Sequence, residues 1–214
     1  MSRTQTFNKL LDNCNNYDPD IRETGAIHLA DEITKSNEQI DAATEKRVCE
    51  AFTKLLNDSQ TEVKSKAVQC IQRVSLKIRE DNLMMIIKHL CAGIKPDGDE
   101  KTLEIFSLTL RTIIMEADMK SAVSIINILY PMIINGLKPN TPVKVKEQCL
   151  DISDQMFKQF GLIILKQNLI NKDELKNAII AQLTGAESTL RKKACYALGS
   201  FAVVLNKQQI GELS

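Results

Sequence analysis

The sequence predicts an all-α fold, a right-handed α-solenoid of about five helical hairpins, and three observations carry that expectation. An apolar pattern returns every 40 to 45 residues, small residues recur at one fixed place within it, and polar or proline-bearing turns separate the segments. Composition agrees. With 8 Gly and 5 Pro in 214 residues there are too few turn-formers for a many-stranded β-protein, while unbranched helix formers are plentiful.

The repeat is anchored on Ile21, Val63, Leu103, Val145 and Leu190, spaced 42, 40, 42 and 45 residues apart. Four residues after each anchor stands a small side chain: Gly25, Ala67, Ser107, Cys149 and Ala194. Apolar residues then recur at helical spacing, as in Val63, Cys70, Ile71 and Val74, or in Leu190, Ala197, Leu198 and Phe201. A small residue on such a stripe marks where a second helix approaches closely. The period is that of HEAT and armadillo arrays, and is too long for tetratricopeptide or ankyrin units.

Each anchored helix follows a turn: Asp18-Pro19-Asp20, Asn57-Asp58-Ser59, Pro96-Asp97-Gly98-Asp99, Asn140-Thr141-Pro142 and Thr184-Gly185-Ala186. Before each turn the pattern predicts a first helix, at about 6–14, 43–56, 82–94, 121–137 and 172–183. Pro131 lies inside the fourth and is expected to kink it. The whole chain, 1–214, therefore reads as one HEAT-repeat array with units of about 1–40, 41–80, 81–119, 120–171 and 172–206. Residues 207–214 look like the start of a truncated further unit, so the chain is expected to be a fragment of a longer one.

Charge excludes some partners. The formal net charge is +1, drifting from an acidic first quarter to a mildly basic end, with no dense basic stripe to track a phosphate backbone; nucleic acid is not expected as a partner. Nor is a membrane expected. The most apolar stretch, 125–137, is interrupted by Asn127, Pro131 and Asn135 and is too short to span a bilayer. The 6 cysteines are scattered singly, and the first twenty residues lack the apolar core of a secretory signal. A cytoplasmic and nuclear location is expected.

Catalytic constellations are missing from the pattern. Two histidines, His28 and His89, stand alone, no C-x-x-C or H-E-x-x-H occurs, and the glycines form no phosphate loop, so neither enzyme activity nor a metal or cofactor is expected. His28 is expected to be a partly buried structural residue. A base follows four anchors: Arg22, Lys64, Lys146 and Arg191. These bases could form a ladder of positive charge for a partner, or pair with turn acids such as Asp18, Asp20 or Asp58. Their place beside a buried anchor favours the second reading.

Protein-binding candidates lie on the outward side of the second helices, the inner surface when such hairpins stack. Spacing selects Glu23 and Asp31, then Lys66, Gln69 and Arg73, then Asp151, Gln155, Lys192 and Lys193. In the third unit Ile105, Phe106 and Ile113 point several ways, so that helix is either buried more fully or offers an apolar contact; burial is the expectation.

Particular runs carry a resemblance. Leu55-Leu56-Asn57-Asp58, Glu62-Val63 and Ala67-Val68-Gln69-Cys70, with the helix ending at Lys77, resemble the second repeat of the cullin-associated, neddylation-dissociated proteins. Leu90-Cys91, and Leu190-Arg191-Lys192-Lys193 with Ala197-Leu198-Gly199, resemble stretches further along. The similarity runs in register from the N-terminus to Ser214 and covers only the N-terminal part of that longer family. It implies a non-catalytic arm of a regulator of cullin–RING ubiquitin ligases. Such an arm binds the unneddylated cullin C-terminal region and the RING-box subunit, blocks neddylation and assists substrate-receptor exchange. The residues alone leave open another HEAT-repeat adaptor, of transport-receptor or phosphatase-scaffold type.

Overall fold

A computed structural model describes residues 3–35 and 39–205. The expected segment 207–214 lies outside them. Ten α-helices run in order among the described residues: α1 (Arg3–Asn13), α2 (Pro19–Lys35), α3 (Ala42–Leu55), α4 (Thr61–Val74), α5 (Glu80–Gly93), α6 (Glu100–Glu116), α7 (Ala122–Gly136), α8 (Val143–Gln167), α9 (Lys172–Ile180) and α10 (Ser188–Phe201). Short 3₁₀ turns precede α7, follow α9 and follow α10, and no strand occurs among the described residues. The fold class is all-α, of the α-solenoid kind.

The helices begin where the turns provide caps. Asp41, Asp99 and Asn171 accept from the backbone N–H groups of Thr44, Thr102 and Glu174, satisfying donors that have no partner inside the helix. Pro19 is the first residue of α2, where a missing N–H costs little, and Asp18 accepts from Asp20 N at 2.9 Å. α8 ends at Asn168 in the left-handed conformation, φ 50°, its N–H closing onto Ile164 O. Pro131 lies inside α7, which continues through it.

The chain divides into two compact units, Met1–His89 and Leu90–Ser214. In the first, α1 pairs with α2 and α3 with α4, and α2 lies along α4. Its core joins Phe7, Leu11, Leu29, Val48, Phe52, Leu56 and Ile71, all 4% exposed or less. In the second, α7 pairs with α8 and α9 with α10, while α6, α8 and α10 lie side by side. Phe106, Ile125, Phe157, Phe160 and Phe201 fill that core, with the Phe157 and Phe201 rings 4.7 Å apart. Burying each such ring contributes about 2–3 kcal/mol.

The repeat's small residue does what its position implies. A Cβ on Gly25 would come within 2.9 Å of Asn13 Cβ and 3.0 Å of the Cys14 backbone nitrogen, so α1 and α2 meet there backbone to backbone. In the fourth hairpin the partners are exchanged: Gly136 of α7 leaves room for the Cys149 sulfur, which a Cβ would meet at 2.2 Å. Val63, Leu103, Val145 and Leu190 are buried as anchors. Ile21 departs from them at 36% exposure, while the turn glycines Gly98 and Gly185 contact Leu103 and Leu190.

In the third hairpin Phe106 and Ile113 are buried and Ile105 is half-buried, the outcome expected for that helix. Its solvent side instead carries Leu108 and Met115, each about half exposed, two residues the pattern did not single out.

Candidate protein-binding face

The nine candidate side chains fall on four second helices, and six of them pair with one another. On α2 and α4, Asp31 accepts from Arg73 Nη2 at 2.5 Å and from Lys35 at 3.0 Å, and Glu23 sits 3.6 Å from Lys66 Nζ. On α8 and α10, Asp151 accepts from Lys193 at 2.7 Å. Each pair joins residues 42 or 43 positions apart, one repeat length, so each links neighbouring second helices within one unit. Thr189 extends the same seam by donating to Glu147, and Ser200 Oγ donates to Asp154 at 2.5 Å.

The remaining three differ. Gln69 is exposed on α4 and Gln155 is half-buried on α8. Lys192 is exposed on α10, its ammonium 5.8 Å from the ring centroid of Tyr196, which is itself 57% exposed. That cation–π geometry leaves both the charge and the ring available to a partner. Tyr196 was not singled out in the sequence, although its +6 offset from Leu190 matches that of Gln69 from Val63.

Three of the bases after the anchors fold back onto the chain, Arg22 onto an acid and Lys146 and Arg191 onto carbonyls. Arg22 forks onto Asp58, Nε to Oδ2 at 2.7 Å and Nη2 to Oδ1 at 2.8 Å, and its Nη1 reaches the Asn16 and Tyr17 carbonyls. Arg191 bonds the Gly185 and Ala186 carbonyls, and Lys146 the Pro139 carbonyl. The expected pairing with turn acids therefore holds for Arg22, whereas Arg191 and Lys146 satisfy the carbonyls that the chain leaves bare as it turns.

These contacts set the local electrostatics. The hydrogen bond to Asp58, offset in part by burial, raises Arg22 above its usual value. Burial pushes Asp58 up, yet the bonds from Arg22 and the Gln60 N–H outweigh it and hold the carboxyl below its ordinary range. Arg73, then Lys35, lower Asp31.

Nucleophilic and ligating groups are arranged differently. Burial pushes Cys14, Cys49, Cys91 and Cys149 up to about 12 and Cys70 to about 11, so these thiols stay protonated. His28 is exposed on α2, correcting the expectation of a partly buried histidine. The half-buried histidine is His89, whose Nε2 lies 2.9 Å from Asn57 Nδ2 and whose pKa burial lowers. Among the described residues no group of three or more His, Cys, Asp or Glu side chains could hold a metal ion. No single helix there is long and apolar enough to cross a membrane.

A seam of ion pairs along stacked second helices, with exposed polar and aromatic groups beside it, belongs to a repeat scaffold. The chain aligns with importin beta at a TM-score of 0.67 and 15% identity, covering 96% of this chain and 27% of that one. A designed armadillo repeat protein aligns at 0.53 and 15% identity, covering 90% of this chain and 80% of the other. These likenesses show the fold. No family model matches the sequence.

Curated relatives narrow the class. Cullin-associated NEDD8-dissociated protein 2 of Mus musculus is 24% identical over 213 residues, 97% of this chain and 17% of its own length. Cullin-associated NEDD8-dissociated protein 1 of Drosophila melanogaster is 27% identical over 204 residues, 92% and 16%. The protein of the same name from Arabidopsis thaliana is 25% identical over 190, 88% and 15%. The chain thus spans about one sixth of the length of these relatives. The matches support a family relationship with the cullin-associated NEDD8-dissociated proteins, and with it a HEAT-repeat scaffold.

Proposed function

We propose that this chain is a non-catalytic arm that binds a cullin. On this reading it engages the unneddylated cullin C-terminal region together with the RING-box subunit, in cytoplasm and nucleus. By covering that region it blocks neddylation and assists exchange of substrate receptors. The observation that carries the reading is the collinear similarity, over 88–97% of the chain, to proteins whose names state a cullin association.

The fold supports it through surface rather than chemistry. Most ion pairs on the second helices are internal, so a partner meets what they leave free: Lys192 with Tyr196, Gln69, and the apolar Leu108 and Met115. Aromatic and basic anchors of this kind carry a disproportionate share of interface energy. The importin and armadillo likenesses, at 15% identity, bear on fold alone and give no separate support to a transport role.

A pull-down from cell extract tests the proposal, with the immobilised chain probed for cullins and a RING subunit before and after deneddylation. Enrichment of cullin that rises with deneddylation is expected. Absence of cullin in both arms rejects the reading for this chain.

A further inference from the structure

Aligning the hairpins on their anchors, Ile21 with Val145 and Val63 with Leu190, brings two equivalent joints into comparison, one within each unit. In the first joint two bridges cross between neighbouring hairpins. Arg22 forks onto Asp58, and Lys54 Nζ donates to Asn15 Oδ1 at 2.6 Å. The cleft they cross is about 440 Å³, and most of its lining residues are polar, Asn16, Asn57 and Ser59 among them.

At the matching places of the second joint all four residues are changed. Arg22 becomes Lys146, Asp58 becomes Gly185, Asn15 becomes Pro139 and Lys54 becomes Ala181. Neither bridge forms. Lys146 turns back to the Pro139 carbonyl at 2.8 Å, and Arg191 occupies the carbonyls of Gly185 and Ala186. An open slot of about 710 Å³ remains between the hairpins, with Ile134, Val143, Ala178 and Ala181 among its walls.

We propose that this slot docks a short extended peptide of a partner protein by one apolar side chain. The walls favour that occupant because apolar side chains line much of them and the polar groups of Gln182 and Glu174 are already engaged. Gln182 Nε2 donates to the Leu137 and Ala178 carbonyls, and Glu174 accepts from Tyr130. An entering group therefore gains by burial, and an apolar side chain gains most. Val143 and Ala181 are exposed in the empty slot, as a seat for such a side chain requires.

Charge fixes the direction of the peptide. Exposed Lys138 stands on the wall from the fourth hairpin, and exposed Glu187 on the wall from the fifth, making no side-chain bond to the helix it caps. The complementary peptide carries a carboxylate on one side of its apolar anchor and a base on the other. This slot lies at the turn edge of the hairpins and is independent of which protein the second-helix face binds.

The test is to pan a random dodecapeptide library displayed on phage against the whole chain. Enriched sequences are expected to share one apolar residue between an acidic and a basic one. A fluorescent synthetic copy should bind about tenfold or more weakly to Ala181→Lys, which restores the residue type of the bridged joint, and to Val143→Glu. Binding to Lys101→Ala, exposed on α6 and outside the slot, should be unchanged. Both slot positions are exposed, and thermal melts by circular dichroism verify that the variants keep their fold. Failure to enrich any shared pattern, or equal binding by both slot variants, overturns the proposal.

Discussion

Arg22 Nε lies 2.7 Å from Asp58 Oδ2, joining two hairpins across 36 residues of sequence, with both side chains under 15% exposed. Glu23 and Lys66 join the same two hairpins at 3.6 Å, each side chain about 30% exposed. Two ion pairs one residue apart on α2 thus sit in different dielectric surroundings. Exposed pairs contribute little, whereas removing one partner of a largely buried pair strands the other charge. Arg22→Ala is therefore expected to lower the urea unfolding midpoint clearly, and Lys66→Ala hardly at all. Equal effects would contradict this ranking.

The same glycine-to-alanine change should have opposite signs at two helical positions. At Gly25 a Cβ meets the Asn13 Cβ at 2.9 Å and backbone of Cys14, so overpacking outweighs the gain in helix propensity and leaves a net loss of about 1 kcal/mol. At Gly199 nothing lies within 4 Å, so alanine gains up to about 1 kcal/mol. Denaturant melts of the two variants check both signs.

Asp31 supplies a pH dependence. Arg73 and Lys35 depress its carboxyl in the folded chain below the ordinary 3.8. A depressed folded value means that the unfolded chain takes up the proton first as pH falls. The stabilisation is complete above the usual carboxylate range and is lost as pH drops from about 3.8 through the folded value. Urea midpoints measured from neutral to strongly acidic pH should fall less steeply for Asp31→Asn than for the natural chain.

The hairpins were legible because their code is local: an anchor, a small residue four places on and a polar turn lie within one helix and its lead-in. Helix ends shift from expectation by at most three residues at the first helices. The candidate face was legible as positions but not as contacts. Whether Asp31 faces a partner or Arg73 depends on a side chain 42 residues away, and periodicity carries no information on that pairing. His28 and Ile21 were misplaced for a related reason: the stripe identifies a helix face, while exposure depends on what packs over it.

Thiol chemistry checks the core independently. Cys195 is exposed, Cys91 is half-buried, and the other four cysteines are buried. Five of the thiols have pKa values raised to about 11 or 12 by burial. An aromatic disulfide reagent at mildly alkaline pH should therefore label a single thiol rapidly in the native chain, and all 6 in denaturant. Cys195→Ser should abolish the rapid phase.

In the proposed function this chain binds an unneddylated cullin through its second-helix face. Calorimetric titration of the purified chain with a cullin–RING-subunit complex, unneddylated and neddylated, tests it most directly. Binding to the unneddylated complex is expected, weakened about tenfold or more by neddylation and also by Lys192→Glu with Tyr196→Ala. Equal affinity for the two complexes, or no loss in the double variant, would contradict it.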